Sequence, residues 1–346
     1  MRIKLAVFLA LALPLGAVNR WKMQFFYDKD ASALEIRDLQ CPSITNCVAA
    51  AVVSEQNKEK PKGTLVLTSD GGAHWSYVDT KELPYSLFFL NANSGWMVTD
   101  KGLWKTGDAA RTWTKTKGIK GMKGIERVWF VSESHGWAVG QPKAIFETQD
   151  GGNEWTKLPV ASTVNAPNEE VVYDSILFSK QNHAIIGGRT GTSALLIESK
   201  DGGKTWTSTE SKVRGQFNRI QYLDNTLLGV VEYFGKTKTP SEIYQLDTAQ
   251  KTAAPVFNRT GMVARDVAVL PDKEVIVAAI EVMGTANQVP IPGKLKMLQS
   301  TSLETWVEDK VDYRAVAMHP VIAAADSNHV WIATDTGMIL KREVVD

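Results

Sequence analysis

The residues of this chain best suited to binding chemistry are arginines that recur at one position of an internal repeat. When the repeats are aligned, seven residues share this position and five of them are arginine. The seven are Arg37, Ser86, Arg127, Asp174, Arg219, Arg265 and Arg314. Guanidinium groups bind carboxylates and phosphates through two parallel hydrogen bonds, so this set predicts an anion-binding position.

A ring of arginines needs anions to balance it. Two unit charges about 10 Å apart repel by about 1.7 kcal/mol at an effective dielectric constant of 20. Internal carboxylates are available beside or on the ring, namely Asp38, Glu126, Asp174 and Asp266. Two interpretations therefore stay open: the arginines pair with these acids and tie neighbouring repeats together, or they bind carboxylate or phosphate groups of a ligand.

Three tyrosines precede ring positions by one residue in the alignment. They are Tyr85, Tyr173 and Tyr313. A tyrosine at such a position either stacks on a bound ligand or fills space in the fold, and the sequence allows both.

The element that must position these residues is a repeated turn. Four segments read Ser/Thr-x-Asp-x-x-x-x-Trp, and three of them carry Gly-Gly directly after the Asp. An Asp at such a corner accepts hydrogen bonds from nearby backbone N–H groups, and glycine adopts positive φ without steric cost. The pattern predicts structural Asp-box turns, with the Trp opening the returning strand. The residues are Asp70, Trp75, Asp108, Trp113, Asp150, Trp155, Asp201 and Trp206.

The spacing of these boxes, with two degenerate copies near Asp247 and Trp306, predicts an all-β, seven-bladed β-propeller formed by one domain, residues 18–346. The predicted blades are 36–80, 85–117, 125–158, 173–209, 217–256, 264–309 and 313–341, the last lacking one strand. In the segment 20–27, Trp21, Met23 and Phe25 alternate with polar residues. We expect this N-terminal strand to complete the last blade and close the ring, which removes exposed sheet edges.

The N-terminus predicts export. Residues 1–17 have a basic start, an apolar run from Leu5 to Leu13 and small residues near Ala17, as in a secretory signal peptide. No other stretch is long and apolar enough to predict a transmembrane helix. Cys41 and Cys47 are the only cysteines and flank a predicted hairpin turn, so an exported protein is expected to join them in a disulfide. The expected location is periplasmic or extracellular.

Loop length varies mainly on one predicted face, at 54–62, 159–172, 235–240 and 284–293. Irregular loops on a rigid frame are where binding sites are usually built. Many of the loop lysines fall on this face, which indicates a partner with an acidic surface. They are Lys58, Lys60, Lys62, Lys115, Lys117, Lys120, Lys123, Lys236 and Lys238.

Several classes of function are disfavoured. There are 39 Lys and Arg residues against 38 Asp and Glu residues, whereas nucleic-acid-binding domains are usually strongly basic. The five histidines are scattered without metal-ligand spacing, and no nucleophile motif or phosphate-binding loop is present. We therefore predict no metal, no cofactor and no catalytic residue.

With its repeated Asp-boxes, the segment Ser134-His-Gly-Trp-Ala-Val-Gly140 and a leading Cys-x5-Cys, the chain resembles the photosystem II stability/assembly factor-like family of Asp-box propellers. The resemblance covers most of the chain and implies an exported, non-enzymatic scaffold, here expected to be a monomer, that holds a protein partner. A related basic patch in that family favours the arginine ring as the binding site.

An enzymatic alternative stays open, because sialidases and other glycoside hydrolases share the Asp-box. Such an enzyme would bind an anionic sugar with the arginines and use Asp174 or Asp266 as acid, with Glu126 or a tyrosine as base or nucleophile. The chain contains no Arg-x-Pro, and the sialidase family expects an Arg-Ile-Pro motif near its start.

Overall fold

The structure is a computed structural model and describes residues 18–118, 124–179, 181–191, 193–233, 240–281 and 293–344. The predicted signal peptide, most of the 235–240 and 284–293 loops, and Lys120, Lys123, Lys236 and Lys238 lie outside the described residues. Within the described ranges the only helices are two short 3₁₀ turns, Pro159–Ser162 and Asn168–Glu170. None of the helices in this part of the chain is long and apolar enough to cross a membrane.

The chain forms seven sheets arranged as the blades of a β-propeller, which confirms the predicted fold, and their strands are antiparallel except for one short parallel pair in the sheet of blade seven. The first described strand, β1 (Arg20–Phe26), belongs to the last blade. In blades one to six, four strands follow chain order from the central channel outward. Their bounds are β2 (Ser32–Gln40), β3 (Cys47–Glu55), β4 (Lys62–Thr68) and β5 (Ser76–Asp79) in blade one; β6 (Pro84–Phe89), β7 (Gly95–Thr99), β8 (Gly102–Thr106) and β9 (Thr114–Lys115) in blade two; β10 (Ile125–Phe130), β11 (Gly136–Gly140), β12 (Ala144–Thr148) and β13 (Thr156–Lys157) in blade three; β14 (Val171–Phe178), β15 (Ala184–Thr190), β16 (Ser193–Ser199) and β17 (Thr207–Arg214) in blade four; β18 (Gln216–Leu223), β19 (Thr226–Glu232), β20 (Ser241–Asp247) and β21 (Thr252–Phe257) in blade five; and β22 (Met262–Val269), β23 (Val275–Glu281), β24 (Gly293–Ser300) and β25 (Val307–Glu308) in blade six.

Two short strands, β26 (Lys310–Val311) and β27 (Val316–Ala317), follow blade six and lie outside the channel. Blade seven consists of β28 (Val321–Ala324), β29 (Val330–Thr334), β30 (Met338–Glu343) and the N-terminal strand β1. The predicted start of this blade at residue 313 is therefore wrong. Val316 and Ala317 resemble the start of an inner strand, but they pair with Gly293 and Lys294 at the edge of blade six.

The N-terminal strand closes the ring as predicted. Strand β1 is antiparallel to β30, with Trp21 opposite Arg342 and Met23 opposite Leu340. The side chain of Trp21 is fully buried, and its Nε1 donates a 2.9 Å hydrogen bond to Oδ2 of Asp309. Residues distant in sequence thus hold the two ends of the chain together in one sheet.

The four Asp-boxes share one hydrogen-bonded turn. In the first box, the Thr68 hydroxyl donates to Asp70 at 2.9 Å and accepts from the Gly72 N–H at 2.9 Å, while Asp70 Oδ1 accepts from the His74 N–H at 2.9 Å. The same bonds recur in the boxes of Asp108, Asp150 and Asp201. In every box the two residues after the Asp have positive φ, including the pair Ala109 and Ala110 that replaces the glycines. These carboxylates are thus used within the turn.

Tryptophans connect each box to the core between blades. The indole N–H groups of three box tryptophans, Trp113, Trp155 and Trp206, donate to a carbonyl within their own box. A second set, Trp96, Trp137 and Trp331, lies on the second strands and is fully buried. Trp96 of blade two donates to the carbonyl of Gly151 in the box of blade three at 3.1 Å. The boxes therefore stabilise contacts between blades as well as individual turns.

Cys41 and Cys47 are joined by a disulfide across the turn between β2 and β3. Both cysteines are buried and pack in the apolar cluster between blades one and seven. The bond fixes the first hairpin beside the ring closure.

Candidate functional site

A β-bulge near the start of each inner strand of blades one to six builds the channel mouth. At each bulge one residue is skipped in the pairing with the second strand, so its side chain is directed differently from those of a regular strand. The skipped residues are Arg37, Tyr85, Glu126, Asp174, Asn218 and Arg265. All six line a cavity of about 310 Å³ at the entry of the inner strands, which we call the mouth.

The bulges correct the predicted arginine ring. Arg37 and Arg265 occupy the bulge position, whereas Arg127 and Arg219 occupy the next one, which they share with Asp38, Ser86, Ser175 and Asp266. The sequence alignment was thus one residue out of register in three blades. The residue two positions after each bulge is always aliphatic, and aligning on it gives the correct register: Leu39, Leu87, Val128, Ile176, Ile220 and Val267.

Arg314 and Tyr313 are not at the mouth, so their prediction as site residues is wrong. Both precede β27 in the connection to blade seven, beside the N-terminal strand. Arg314 pairs with Asp312 two residues earlier, at 2.8 Å, and the Tyr313 side chain is 81% exposed. In blade seven the mouth is lined by His319, Pro320 and Val321.

Tyr173 is also misassigned, because it belongs to the core. Its ring is fully buried and its hydroxyl donates to the carbonyl of Ala161 at 3.2 Å. Burial raises the pKa of Tyr173 to about 12. This tyrosine fixes the long connection between blades three and four and does not face a ligand.

Two buried aspartates join blades at the position after the bulge. Asp38 accepts hydrogen bonds from the Leu39 N–H at 3.0 Å, from the Leu87 N–H of blade two at 2.8 Å, and from Arg127 Nη1 of blade three at 2.7 Å. One carboxylate thereby contacts three consecutive blades.

Asp266 repeats this arrangement on the other side of the channel. It accepts from the Val267 N–H at 2.8 Å and from the Ile322 N–H of blade seven at 2.7 Å. Arg219 of blade five lies beside it, with Nε 3.1 Å from Oδ1. Burial raises the pKa of Asp266, and the charge of Arg219 partly offsets this effect.

The two arginines at the bulge position have different partners. Arg265 reaches back to blade five, where Nη1 donates to Glu232 Oε1 at 2.7 Å, and Asn218 donates to the other oxygen of Glu232 at 2.7 Å. Arg37 pairs only with Glu35 of its own strand, at 3.0 Å from Nε, and its Nη1 has no hydrogen-bond partner among the described residues. Among the described residues, Arg37 is therefore a mouth arginine without an ion pair to another blade.

Tyr85 extends the Arg37 position toward solvent. The guanidinium carbon of Arg37 lies 5.0 Å from the centroid of the Tyr85 ring, within cation–π distance, and the Tyr85 side chain is 37% exposed. The pair presents a planar cation and an aromatic ring on the same side of the mouth. The sequence placed both residues at the channel, and the structure brings them into contact.

Asp174 lies where the mouth meets the deeper channel. Its Oδ1 is buried without a hydrogen-bond partner, and so is the hydroxyl oxygen of the neighbouring Ser175. Burial raises the pKa of Asp174 to about 8; the nearby Arg127 lowers it and Glu126 raises it further. Asp174 is thus a protonated, neutral acid near neutral pH, which the sequence did not predict.

The described residues contain no cluster of three or more His, Cys, Asp or Glu side chains able to hold a metal ion. A Tyr–Glu arrangement of the kind used by sialidases does occur, but away from the channel, just after β19 and on β20 of blade five. There Tyr233 and Tyr244 both donate to Glu242. Burial and the adjacent carboxylate raise the pKa of Tyr233, which disfavours the phenolate that a nucleophile requires.

Comparison with known proteins finds similarity to the family that the repeats resemble. Residues 118–276 match the family described as photosynthesis system II assembly factor YCF48. The photosystem II assembly lipoprotein Ycf48 of Synechococcus sp. (strain CC9902) is 31% identical over 137 residues, which cover 39% of this chain and 32% of that protein. The matched sequence thus spans about a third of the curated relative. The predicted resemblance to this family is confirmed.

Solved structures show the fold over nearly the whole chain. A structure of YCF48 bound to a D1 peptide superimposes with a TM-score of 0.64 at 17% identity, covering 93% of this chain and 99% of that one. YCF48 from Cyanidioschyzon merolae gives a TM-score of 0.63 at 15% identity, covering 93% and 98%. The GH74 enzyme of Niastella koreensis is also similar, with a TM-score of 0.53 at 13% identity, covering 88% of this chain and 64% of that one.

Proposed function

We propose that this chain, a seven-bladed propeller of the photosystem II assembly factor type, is an exported, non-enzymatic scaffold that binds a protein partner at its channel mouth. The observation that carries the proposal is the Arg37–Tyr85 pair, a guanidinium that stacks on an exposed tyrosine and forms its ion pair with the exposed carboxylate of Glu35. A related propeller of the same shape has been solved with a peptide bound, which supports a peptide or protein ligand.

The proposed binding arginine is Arg37 alone, and not the predicted ring of five arginines. Arg127, Arg219 and Arg265 lie against the carboxylates Asp38, Asp266 and Glu232 of other blades. Removing one partner of a buried ion pair destabilises a fold strongly, so these three arginines are expected to hold the channel walls. The ion-pair partner of Arg37 among the described residues is Glu35, whose side chain is 54% exposed, and a carboxylate on the partner can replace it.

The partner is expected to present an acidic group to this mouth. Loop lysines predicted for the same face, including Lys117, are expected to add positive charge around it. Electrostatic attraction between exposed groups weakens as salt is raised, because the screening length falls to about 3 Å at 1 M ionic strength. We expect partner binding to the full chain to weaken between 0.05 and 0.5 M salt.

The test compares two matched variants in a pull-down from host extract. Arg37→Ala is expected to fold like the wild type, shown by circular dichroism and thermal melting, and to lose the partner. Lys22→Ala, an exposed cation on the N-terminal strand far from the mouth, is expected to retain it. Equal recovery by wild type and Arg37→Ala, or binding indifferent to salt, would remove the electrostatic anchor from the proposal.

One observation favours a second candidate, a glycoside hydrolase acting on an anionic sugar. Asp174 keeps its proton near neutral pH and lies beside Glu126, as a general acid beside a carboxylate does in such enzymes. Asp266 does not suit the role of acid, since both of its oxygens accept backbone hydrogen bonds. Release of fluorophore from a sialoside or glucuronide, abolished by Asp174→Asn, would establish this activity.

A further inference from the structure

Below the mouth the channel widens into a second cavity, which we call the chamber. It has a volume of about 570 Å³ and is lined by inner-strand residues of blades one to five. Small-molecule sites in proteins commonly have volumes of about 300 to 1,000 Å³. The chamber is therefore large enough for a ligand of one or two rings.

Polar side chains without protein partners face the chamber. Gln40 and Gln221 line it, and their amide groups make no hydrogen bond to any residue that the structure describes. Asp174 Oδ1 and Ser175 Oγ, on the wall between these two glutamines, are buried and also unpartnered. The two glutamine amides therefore offer donors and acceptors to a polar ligand, whereas the buried Asp174 and Ser175 oxygens do not reach the cavity surface.

An aromatic surface lies beside these polar groups. The rings of Phe88 and Trp129 have centroids 5.0 Å apart, and Trp129 is stacked on Phe178 at 6.2 Å with an angle of 23° between the ring planes. All three rings are partly exposed and line the chamber. Polar groups placed next to a flat apolar wall suit a ligand with hydroxyl groups at its edge and C–H groups on its face.

The charges around the chamber cancel. Arg127 and Arg219 lie against Asp38 and Asp266, and Asp224 pairs with Lys273 at 3.0 Å. Burial raises the pKa of Asp174 to about 8, so this carboxyl group is neutral at neutral pH. A charged ligand would have to displace one of these internal pairs, so the chamber favours an uncharged one.

We propose that the chamber binds one or two rings of a neutral carbohydrate without cleaving it. A sugar ring packs against Trp129, while Gln40 and Gln221 hydrogen-bond its hydroxyl groups. The site lies deeper than the mouth and does not include Arg37, so it is independent of the protein partner proposed above.

The experiment titrates the purified protein with uncharged methyl glycosides and disaccharides by saturation-transfer NMR and calorimetry. Glucuronate and an uncharged hexapeptide serve as comparison probes. We expect saturable binding of at least one neutral sugar, with no product formed. Arg37→Ala is expected to bind the sugar unchanged, which separates this result from the fate of the mouth proposal.

The amides of Gln40 and Gln221 make no hydrogen bond to the described residues, so substituting them tests ligand binding without removing a hydrogen bond within the fold. Each hydrogen bond removed in Gln40→Ala and Gln221→Ala should weaken binding about fivefold. Gln250→Ala, an exposed glutamine on an outer turn of blade five, is the matched control and should change nothing. The proposal is overturned if no neutral sugar binds, if the double glutamine variant binds as well as the wild type, or if glucuronate or the peptide binds more tightly.

Discussion

Arg127 of blade three donates a 2.7 Å hydrogen bond from Nη1 to Oδ2 of Asp38 in blade one, bypassing blade two. Blade two has the small, buried residue Ser86 at the equivalent position, and its hydroxyl donates to the Glu126 carbonyl of blade three at 2.7 Å. The same oxygen of Asp38 also accepts the Leu87 N–H of blade two. Polar contacts at the channel thus join three blades whose apolar faces pack further out.

Asp38→Ala is expected to destabilise the fold by about 3–5 kcal/mol, because it leaves the Arg127 charge and a buried N–H group unpaired. Urea unfolding measures the change, and Glu343→Ala, which breaks the exposed pair with Lys22, is the control. Adding Arg127→Leu to Asp38→Ala should restore part of the loss. A cost below about 1 kcal/mol would show that the three-blade contact does not matter for stability.

Asp174 predicts a specific dependence of stability on pH. A free Asp ionises near pH 3.9, whereas in the folded chain the pKa of Asp174 is raised to about 8. Between these values the unfolded state has lost this proton and the folded state retains it, so the group lowers stability progressively as pH rises from about 4 to 8. Asp174→Asn removes this effect.

The stability difference between Asp174→Asn and wild type should therefore grow from pH 5 to pH 8 and level off above pH 8. Urea unfolding at each pH measures it, and Asp224→Asn, an exposed carboxylate, provides the baseline. A difference that stays constant across this range would mean that Asp174 ionises normally in the folded protein.

Because β1 closes the ring, substituting its buried residues should destabilise the fold strongly. Trp21→Ala removes a fully buried ring and the hydrogen bond to Asp309, and substitutions of this type cost about 3–5 kcal/mol. Lys22→Ala, next to it but 62% exposed, should leave the melting temperature unchanged. Similar melting temperatures for the two variants would contradict closure by β1.

The second glycine of an Asp-box should tolerate substitution less well than the first. Gly202 and Gly203 have φ values of 74° and 88°, so alanine is strained at both. A Cβ on Gly203 would lie 2.4 Å from the Trp137 ring, whereas on Gly202 its nearest neighbour is 3.6 Å away. Gly203→Ala should therefore melt several degrees below Gly202→Ala. Equal melting temperatures would mean that backbone strain alone, and not the contact with Trp137, destabilises the alanine variants.

The fold was predictable from sequence because its signals are local. Each box carries its Asp and its Trp within eight residues, and three of the four also carry Gly-Gly. The alternation of Trp21, Met23 and Phe25 marks a strand without reference to the rest of the chain. The position of blade seven was not predictable in this way. Val316 and Ala317 have the composition of an inner strand, and only tertiary pairing assigns them to blade six.

The mouth was predicted only in part. A bulge adds one residue without a distinctive composition, so Arg37 and Arg127 fell at one aligned position although they occupy different positions in the structure. Tyr173 fills the core and Tyr85 faces the mouth because the bulge falls at Tyr85 in blade two but one residue later, at Asp174, in blade four. The neutral state of Asp174 depends on burial, which one sequence does not reveal.

Partner binding at the mouth is tested most directly by site-specific photocrosslinking in the host. A photoreactive residue replaces Tyr85 at the mouth, and in a second variant it replaces His74, whose side chain is 90% exposed on the Asp-box face. We expect a defined protein adduct from position 85 that disappears when Arg37→Ala is added, and none from position 74. An adduct from position 74 alone, or one from position 85 that is unaffected by Arg37→Ala, would contradict this expectation.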